Sequence, residues 1–364
     1  MMKKTLVALA AAAVAGGAFA QSSVTISGLV DIGYGQVDGS GSATAQEADQ
    51  QRVAQNGSAT TAIIISGSED IGGGLRAIFR YETNPDFVSG AGIAASNGFS
   101  FVGLTGGFGE VRLGRLNSAF LQNWVTVNPL GTALGSGWGG AGVVTRYTVP
   151  AGNFAVTAPT RFNGAIEYQS PVFNGIQGRL MYVPERDDAA ATANRASVVD
   201  AGLRFAQGPI TAMLSWQRTD ASGAVAAVAH PLGVATPATG GDSTLWMLGA
   251  RYAMGALALS GGYWQERVEL GTTEVADITG WTLAVRYTMG PWAFTAAHTQ
   301  SEDDALTANQ IFSVTGERTA KRTVLGLGVD YSFSKRTALY GRFEGRDMGP
   351  TEFQTIQVGI RHTF

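Results

Sequence analysis

The feature that most constrains this chain is a strict alternation of apolar and polar residues, repeated in segments of about ten residues down to the last one. In the final segment Ile356, Val358, Ile360, His362 and Phe364 fall on one face, with Thr355, Gln357, Gly359, Arg361 and Thr363 on the other. Leu325, Leu327, Val329, Tyr331 and Phe333 repeat the pattern against Gly326, Gly328, Asp330 and Ser332. Trp281, Leu283, Val285, Tyr287 and Met289 do so against Thr282, Ala284, Arg286 and Thr288. A period of two predicts strands with one apolar face each. The 50 glycines among 364 residues act in the same direction, because each costs a helix interior about 1 kcal/mol yet suits tight turns and closely spaced strands.

Residues 1–20 stand apart from this pattern. Lys3 and Lys4, an apolar run over 6–18 and the small-x-small end Ala18-Phe19-Ala20 have the layout of a secretory signal peptide, which leaves 21–364 as one exported domain. Without the leader the formal charge is −5, and Lys321 and Lys335 are the only lysines beside 21 arginines. Rigid arginine forks suit paired or interior cations better than solvated surface charge. The absence of cysteine excludes a disulfide framework and thiolate metal sites, and the acidic balance gives no overall field for nucleic acid.

Alternation alone fits either a soluble sandwich, with its apolar face inside, or a membrane barrel, in which that face meets lipid and the polar face lines water. Three features favour the barrel. Aromatic residues such as Tyr34, Tyr81, Tyr168, Tyr252, Trp292 and Phe333 sit at strand ends. Short connections at 70–74, 106–109, 173–175, 206–209, 254–256, 289–291 and 334–336 alternate with long ones at 36–58, 84–97, 116–159, 184–196, 219–242, 267–278, 301–320 and 347–351. The chain also ends on a strand whose last residue is Phe364. Seven short and eight long connections join sixteen antiparallel strands, with about 21 residues for each strand and its connection, enough for a crossing of about 9–11. The segment 116–145 reads as loop from its Asn, Pro and glycine content.

Several segments resemble the general porins of Gram-negative outer membranes. They are Gly67-Ser68-Glu69-Asp70-Ile71-Gly72-Gly73-Gly74-Leu75-Arg76-Ala77, the run from Val102 through Gly106-Gly107-Phe108-Gly109 to Arg115, Tyr331-Ser332-Phe333-Ser334-Lys335-Arg336-Thr337, and the ending Val358 to Phe364. The resemblance implies a homotrimeric, all-β transmembrane barrel of sixteen strands in the outer membrane, with short periplasmic turns, long extracellular loops and an inward-folded third loop. It further implies that Ile360, His362 and Phe364 are read by the barrel-assembly machinery, that lipid surrounds the barrel, and that small hydrophilic solutes and ions pass through it without a cofactor or bound metal.

In such a pore function resides in the width and field of the lumen. Parity places Arg76, Arg80, Arg112, Arg179, Arg204, Arg251, Arg286, Arg342 and Arg361 inside, together with Asp31, Glu82, Glu167, Asp200, Asp330 and Glu344. The lumen therefore leans cationic. No acid occurs over 111–166, so any acidic half of a transverse field comes from Glu82, Glu110 and Glu167 on the wall. Arg80 and Arg112 are expected nearest the constriction, with Arg342 facing them, in a weakly anion-preferring general pore. Pairing of the arginines with wall carboxylates would weaken that preference.

The outer loops read as acidic, with Glu302-Asp303-Asp304, Glu185, Asp187, Asp188, Glu266, Glu269, Glu274 and Asp277, a composition suited to solubility or to bridging of divalent cations to lipid headgroups. Phe120, Trp124 and Trp138 are expected to anchor the third loop to the wall. A substrate-specific channel would keep the fold and change only the lumen, whereas a secreted all-β binding module would be soluble without detergent. Enzyme motifs are not evident: Gly135-Ser136-Gly137-Trp138-Gly139-Gly140 matches a dinucleotide fingerprint only as a string, and His230, His298 and His362 have no metal-ligand spacing.

Overall fold

The computed structural model describes residues 23–40, 50–90, 98–138, 161–185, 197–221, 241–270, 273–304, 321–347 and 352–364. The expected leader, much of the long loops, and Asp187 and Asp188 lie outside them. The strands are β1 (Ser23–Ser40), β2 (Gln50–Gln55), β3 (Ala62–Gly72), β4 (Leu75–Thr83), β5 (Ser100–Gly106), β6 (Gly109–Asn117), β7 (Arg161–Gln169), β8 (Ile176–Val183) and β9 (Ser197–Gln207). They continue as β10 (Ile210–Ala221), β11 (Gly241–Met254), β12 (Leu257–Leu270), β13 (Thr273–Met289), β14 (Trp292–Asp303), β15 (Lys321–Ser332), β16 (Thr337–Asp347) and β17 (Glu352–Thr363). One helix, α1 (Ala119–Val127), follows β6.

All strands pair antiparallel in a single sheet, and β1 pairs with β17 to close it. β2 and β3 both pair with β1 on its other side, Gln36 opposite Gln51 and Ile26 opposite Ile65. They are two halves of one crossing, interrupted at 56–61, where Asn56 takes φ +69. Seventeen segments therefore make sixteen crossings. Closure satisfies the backbone around the whole circumference, which is what lets a sheet stand in lipid.

Burial is inverted relative to a soluble protein. Leu283 is 60% exposed and Val358 57%, while Asp31 and Asp200 are fully buried and Glu167 is 1% exposed. Apolar residues thus form the outer surface and charged residues the interior. This excludes the sandwich, whose packed core would be apolar. At the seam the amide and carbonyl of Phe364 exchange hydrogen bonds with those of Gly28 at 3.0 and 3.1 Å. The Phe364 ring lies where a Cβ on residue 28 would come within 2.5 Å of it, so glycine is required there.

The structure corrects four expectations. The stretch 116–145 is not all loop: α1 occupies nine residues of it, capped by the Ser118 hydroxyl accepting from the Leu121 amide at 3.0 Å. The connection expected at 36–58 is strand at 36–40 and 50–55, with β1 running to Ser40 and β2 starting at Gln50, while 41–49 lie outside the described residues. The one at 267–278 is a hairpin end between Leu270 and Thr273. Outside the membrane both strand faces meet water, so the ladder continues where the alternation stops. Finally, Glu266 and Asp303 are not outer-loop acids. Both are buried on the inner face at the long-loop end, in the same cross-strand row as Ile278.

Candidate functional site: the lumen and its third loop

The third loop runs along the inner wall from β9 to β16 rather than out into solvent. Its entry is fixed where Asp200 accepts the Ala119 amide on both carboxylate oxygens at 3.0 Å, an acid at a helix N-terminus. Asn123 donates to the carbonyls of Met213 and Met247 at 3.1 and 2.8 Å. Phe120, Trp124 and Val127 bury against Leu245, Met247 and Trp264, with Trp138 packed on the cluster. Trp124 meets Trp264 edge-on at 5.6 Å and donates its Nε1–H to Gly131 O at 2.8 Å. The three expected aromatic anchors therefore act together. Further along, Gly135 at φ +89 donates its amide to Glu344 Oε2 at 2.5 Å and lies directly on Gly326, where a Cβ would come within 1.9 Å of the Gly135 oxygen.

On the uncovered wall, Glu82 accepts from Arg80 at 2.6 Å and from Arg161 at 3.4 Å. Arg112 pairs with Glu110 and, at 3.4 Å, with Glu167. Glu167 also pairs with Arg179, which lies 3.7 Å from Asp200. Phe99 and Phe101 carry the arginines from below: the Arg112 guanidinium is 4.9 Å from the Phe101 ring centre and 5.6 Å from that of Phe99, and Arg80 is 5.6 Å from Phe99. These two aromatics are absent from the sequence-based site. The inward parity of Phe101 with Gly103 and Thr105 could have signalled one of them, whereas Phe99 precedes its strand and carries no such signal.

A second cluster occupies β1 and β15 to β17. Tyr340 donates to Asp31 Oδ1 at 2.5 Å, and the amides of Ser58 and Ala59 donate to Asp31 Oδ2 at 2.7 and 2.6 Å. The interruption at 56–61 is thus folded over Asp31 and pinned there. Arg342 and Arg361 each donate to the Ser58 hydroxyl at 2.9 Å, and Arg342 pairs with Asp330 at 2.9 Å. Ser58 and Tyr340 are further residues missed from sequence, the first because it fell in an expected loop.

The predicted lumenal residues therefore form two groups. Arg80, Glu82, Arg112 and Glu167 converge on one wall, and Asp31, Arg342 and Arg361 on another. Asp31 and Glu167 face inward but are covered, while Arg76 stands near the short-turn rim and donates to Ser68 at 2.6 Å. Ile360, His362 and Phe364 point outward from the last strand, all exposed. Between the loop tip and β1, β2, β16 and β17 lies a cavity of about 480 Å³ lined by Arg52, Gln55, Glu344, Arg346 and Gln357 among others.

A closed sixteen-crossing barrel with a lipid-compatible exterior, a charged interior and a loop folded inside it is a transmembrane channel of the outer-membrane type. The comparisons make this specific, since the sequence profile described as Gram-negative porin matches residues 5–346, and the chain belongs to that family. An outer membrane porin protein of Delftia acidovorans is 30% identical over 389 residues, covering the whole of both chains. An outer membrane porin protein of Bordetella pertussis is 31% identical over 249 residues, which span 61% of this chain and 60% of that one. Among solved structures, an anion-selective porin from Comamonas acidovorans superposes with a TM-score of 0.75 at 23% identity, covering 94% of this chain and all of the other.

Proposed function

We propose that this porin is a general diffusion pore of the Gram-negative outer membrane for small hydrophilic solutes and ions, with a weak preference for anions. The observation that carries the preference is a surplus of lumenal arginines. Arg76, Arg204, Arg251 and Arg361 have no carboxylate partner among the described residues, whereas Asp31, Glu82, Glu167, Asp200, Asp330 and Glu344 are each matched by a neighbouring cation or donor. The preference is weak because Arg80, Arg112, Arg179 and Arg342 are ion-paired within the wall. The anion-selective porin from Comamonas acidovorans, which shares this fold, supports the same sign.

On this reading Arg80, Arg112 and Arg342 border the constriction, with Glu82 and Glu167 tempering their field. Residues 1–20 are removed on export, three barrels associate through their apolar outer faces, and Ile360, His362 and Phe364 present the final strand to the assembly machinery. The test is the reversal potential of reconstituted channels in a potassium chloride gradient. A potential of the sign set by chloride is expected, and one set by potassium would overturn the preference. Liposome swelling should fall smoothly with sugar size, and one sugar outrunning smaller ones would favour a substrate-specific channel instead.

A further inference from the structure

Six lumenal arginines stand at a common height. Arg112 and Arg179 lie three residues after the first residue of β6 and β8, and Arg204, Arg251 and Arg286 three before the last residue of β9, β11 and β13. Arg361 lies three before the chain end. The register shows how this height is kept. Arg204 is opposite Met213, Met213 is opposite Gly249, and Arg251 lies two residues nearer the short-turn rim. Arg251 is opposite Ser260, Ser260 is opposite Ala284, and Arg286 again lies two residues nearer. The same step from Arg286 through Thr295 and Gly328 reaches Asp330, and from Asp330 through Tyr340 and Gly359 it reaches Arg361. Strands in a barrel are tilted and staggered, so a belt level with the rim requires a constant stagger from strand to strand. A shift by two also preserves the inward face.

The belt is unevenly neutralised. Arg112 and Arg179 are paired with Glu110, Glu167 and Asp200, and Asp330 interrupts the belt on β15, 3.8 Å from Arg286. Over β9 to β12 no carboxylate faces inward at this level. Arg204 and Arg251 are exposed to the lumen and make no hydrogen bond or ion pair to a described residue. They are separated by two inter-strand spacings, about 10 Å. A single carboxylate cannot span that gap, whereas an anion bearing two or three charged oxygen groups can, and guanidinium forks match carboxylate and phosphate geometry.

We propose that Arg204, Arg251 and Arg286 form a docking arc for small multivalent oxyanions on the periplasmic side of the constriction. The arc rests on the anion-preferring reading above and adds a side and a valence to it. Its guanidinium groups attract polyanions from one side, and Arg80, Arg112, Arg179 and Arg342, which are paired within the wall, do not repeat that attraction. Chloride and other monovalent anions contact one arginine at a time and pass.

The test uses the full-length porin in planar bilayers, with orientation read from a Asp304→Cys label applied to one side. Millimolar citrate or pyrophosphate on the periplasmic side is expected to reduce the chloride current about threefold more than the same anion added outside, with acetate showing no such difference. Arg204→Gln combined with Arg251→Gln removes the difference. Equal effects from the two sides in the unmodified protein, or an undiminished difference in the double variant, would overturn the arc. The wild-type comparison stands without any variant. The potassium chloride reversal potential, read on the same channels, separates the two ideas: a chloride-set potential without side dependence overturns the arc alone, and a potassium-set one overturns the preference.

Discussion

The Tyr340 hydroxyl donates to Asp31 Oδ1 at 2.5 Å across a sequence separation of 309 residues, joining the first strand to the penultimate one inside the barrel. Asp31 simultaneously holds the amides of Ser58 and Ala59, so one carboxylate ties the seam of the barrel to the interruption in its second crossing.

Replacing Tyr340 by Phe keeps the ring under Arg342, at 5.2 Å, and removes the donor to Asp31 together with the acceptor of the Gln357 Nε2–H at 3.2 Å. A buried hydrogen bond to a charged acceptor contributes about 1.5–3 kcal/mol. Tyr340→Phe should therefore lower the temperature at which the detergent-solubilised barrel unfolds, seen as loss of the folded, heat-resistant gel band at a lower temperature. An unchanged transition would show that the two backbone donors suffice.

Trp124 is the anchor of the third loop, fully buried and in contact with Trp264. Trp124→Ala leaves a cavity that costs the loop about 3–5 kcal/mol, while the barrel ladder is untouched. Single-channel recordings should show new current fluctuations with an unchanged β-sheet circular dichroism signal. Quiet channels in this variant would place the anchor elsewhere.

Gly326 has no room for a side chain, because the backbone of Gly135 lies upon it. Gly326→Val should push the loop tip off the wall into the lumen and lower conductance, with a change in Trp138 emission. Conductance equal to that of the unmodified channel would mean that the wall yields instead of the loop.

Arg80, partly exposed to the lumen, pairs with the buried Glu82, which also holds Arg161, so removing either partner leaves the other's charge less compensated. Arg80→Gln should shift selectivity toward cations and Glu82→Gln toward anions, each by a factor of about two in the permeability ratio and less in molar salt. Measurement of both reversal potentials at low and high salt checks this, and shifts of the same sign in the two variants would contradict it.

Deleting Phe364 removes both backbone hydrogen bonds to Gly28 as well as the ring that covers it. The yield of heat-modifiable barrel in outer-membrane fractions should fall severalfold, and refolding in detergent should be slowed as well. Normal refolding in vitro with loss only in cells would assign Phe364 to recognition rather than to closure.

Much of the architecture is legible in the residues alone. Side chains on a strand alternate with a period of two, so apolar residues such as Leu283 and Val358 and inward ones such as Arg342 and Asp200 are assigned to faces by parity, whatever the partner strand. Turn glycines and Phe364 locate the rim. Three things depended on the tertiary structure. Helix α1 arises because Ser118, Asp200 and the wall aromatics meet its nine residues, which are too short to hold a helix unaided. Strand ends beyond the membrane extend by pairing with neighbours after the alternation has ceased, as in β1 and β13. The charge of the lumen depends on register: parity puts arginines and acids inside, but only the stagger between strands brings Glu167 to Arg112 and Arg179 while leaving Arg204 and Arg251 without a carboxylate among the described residues. Face is a local property of a chain. Cross-strand pairing is set by closure of the whole barrel, and no single segment encodes it.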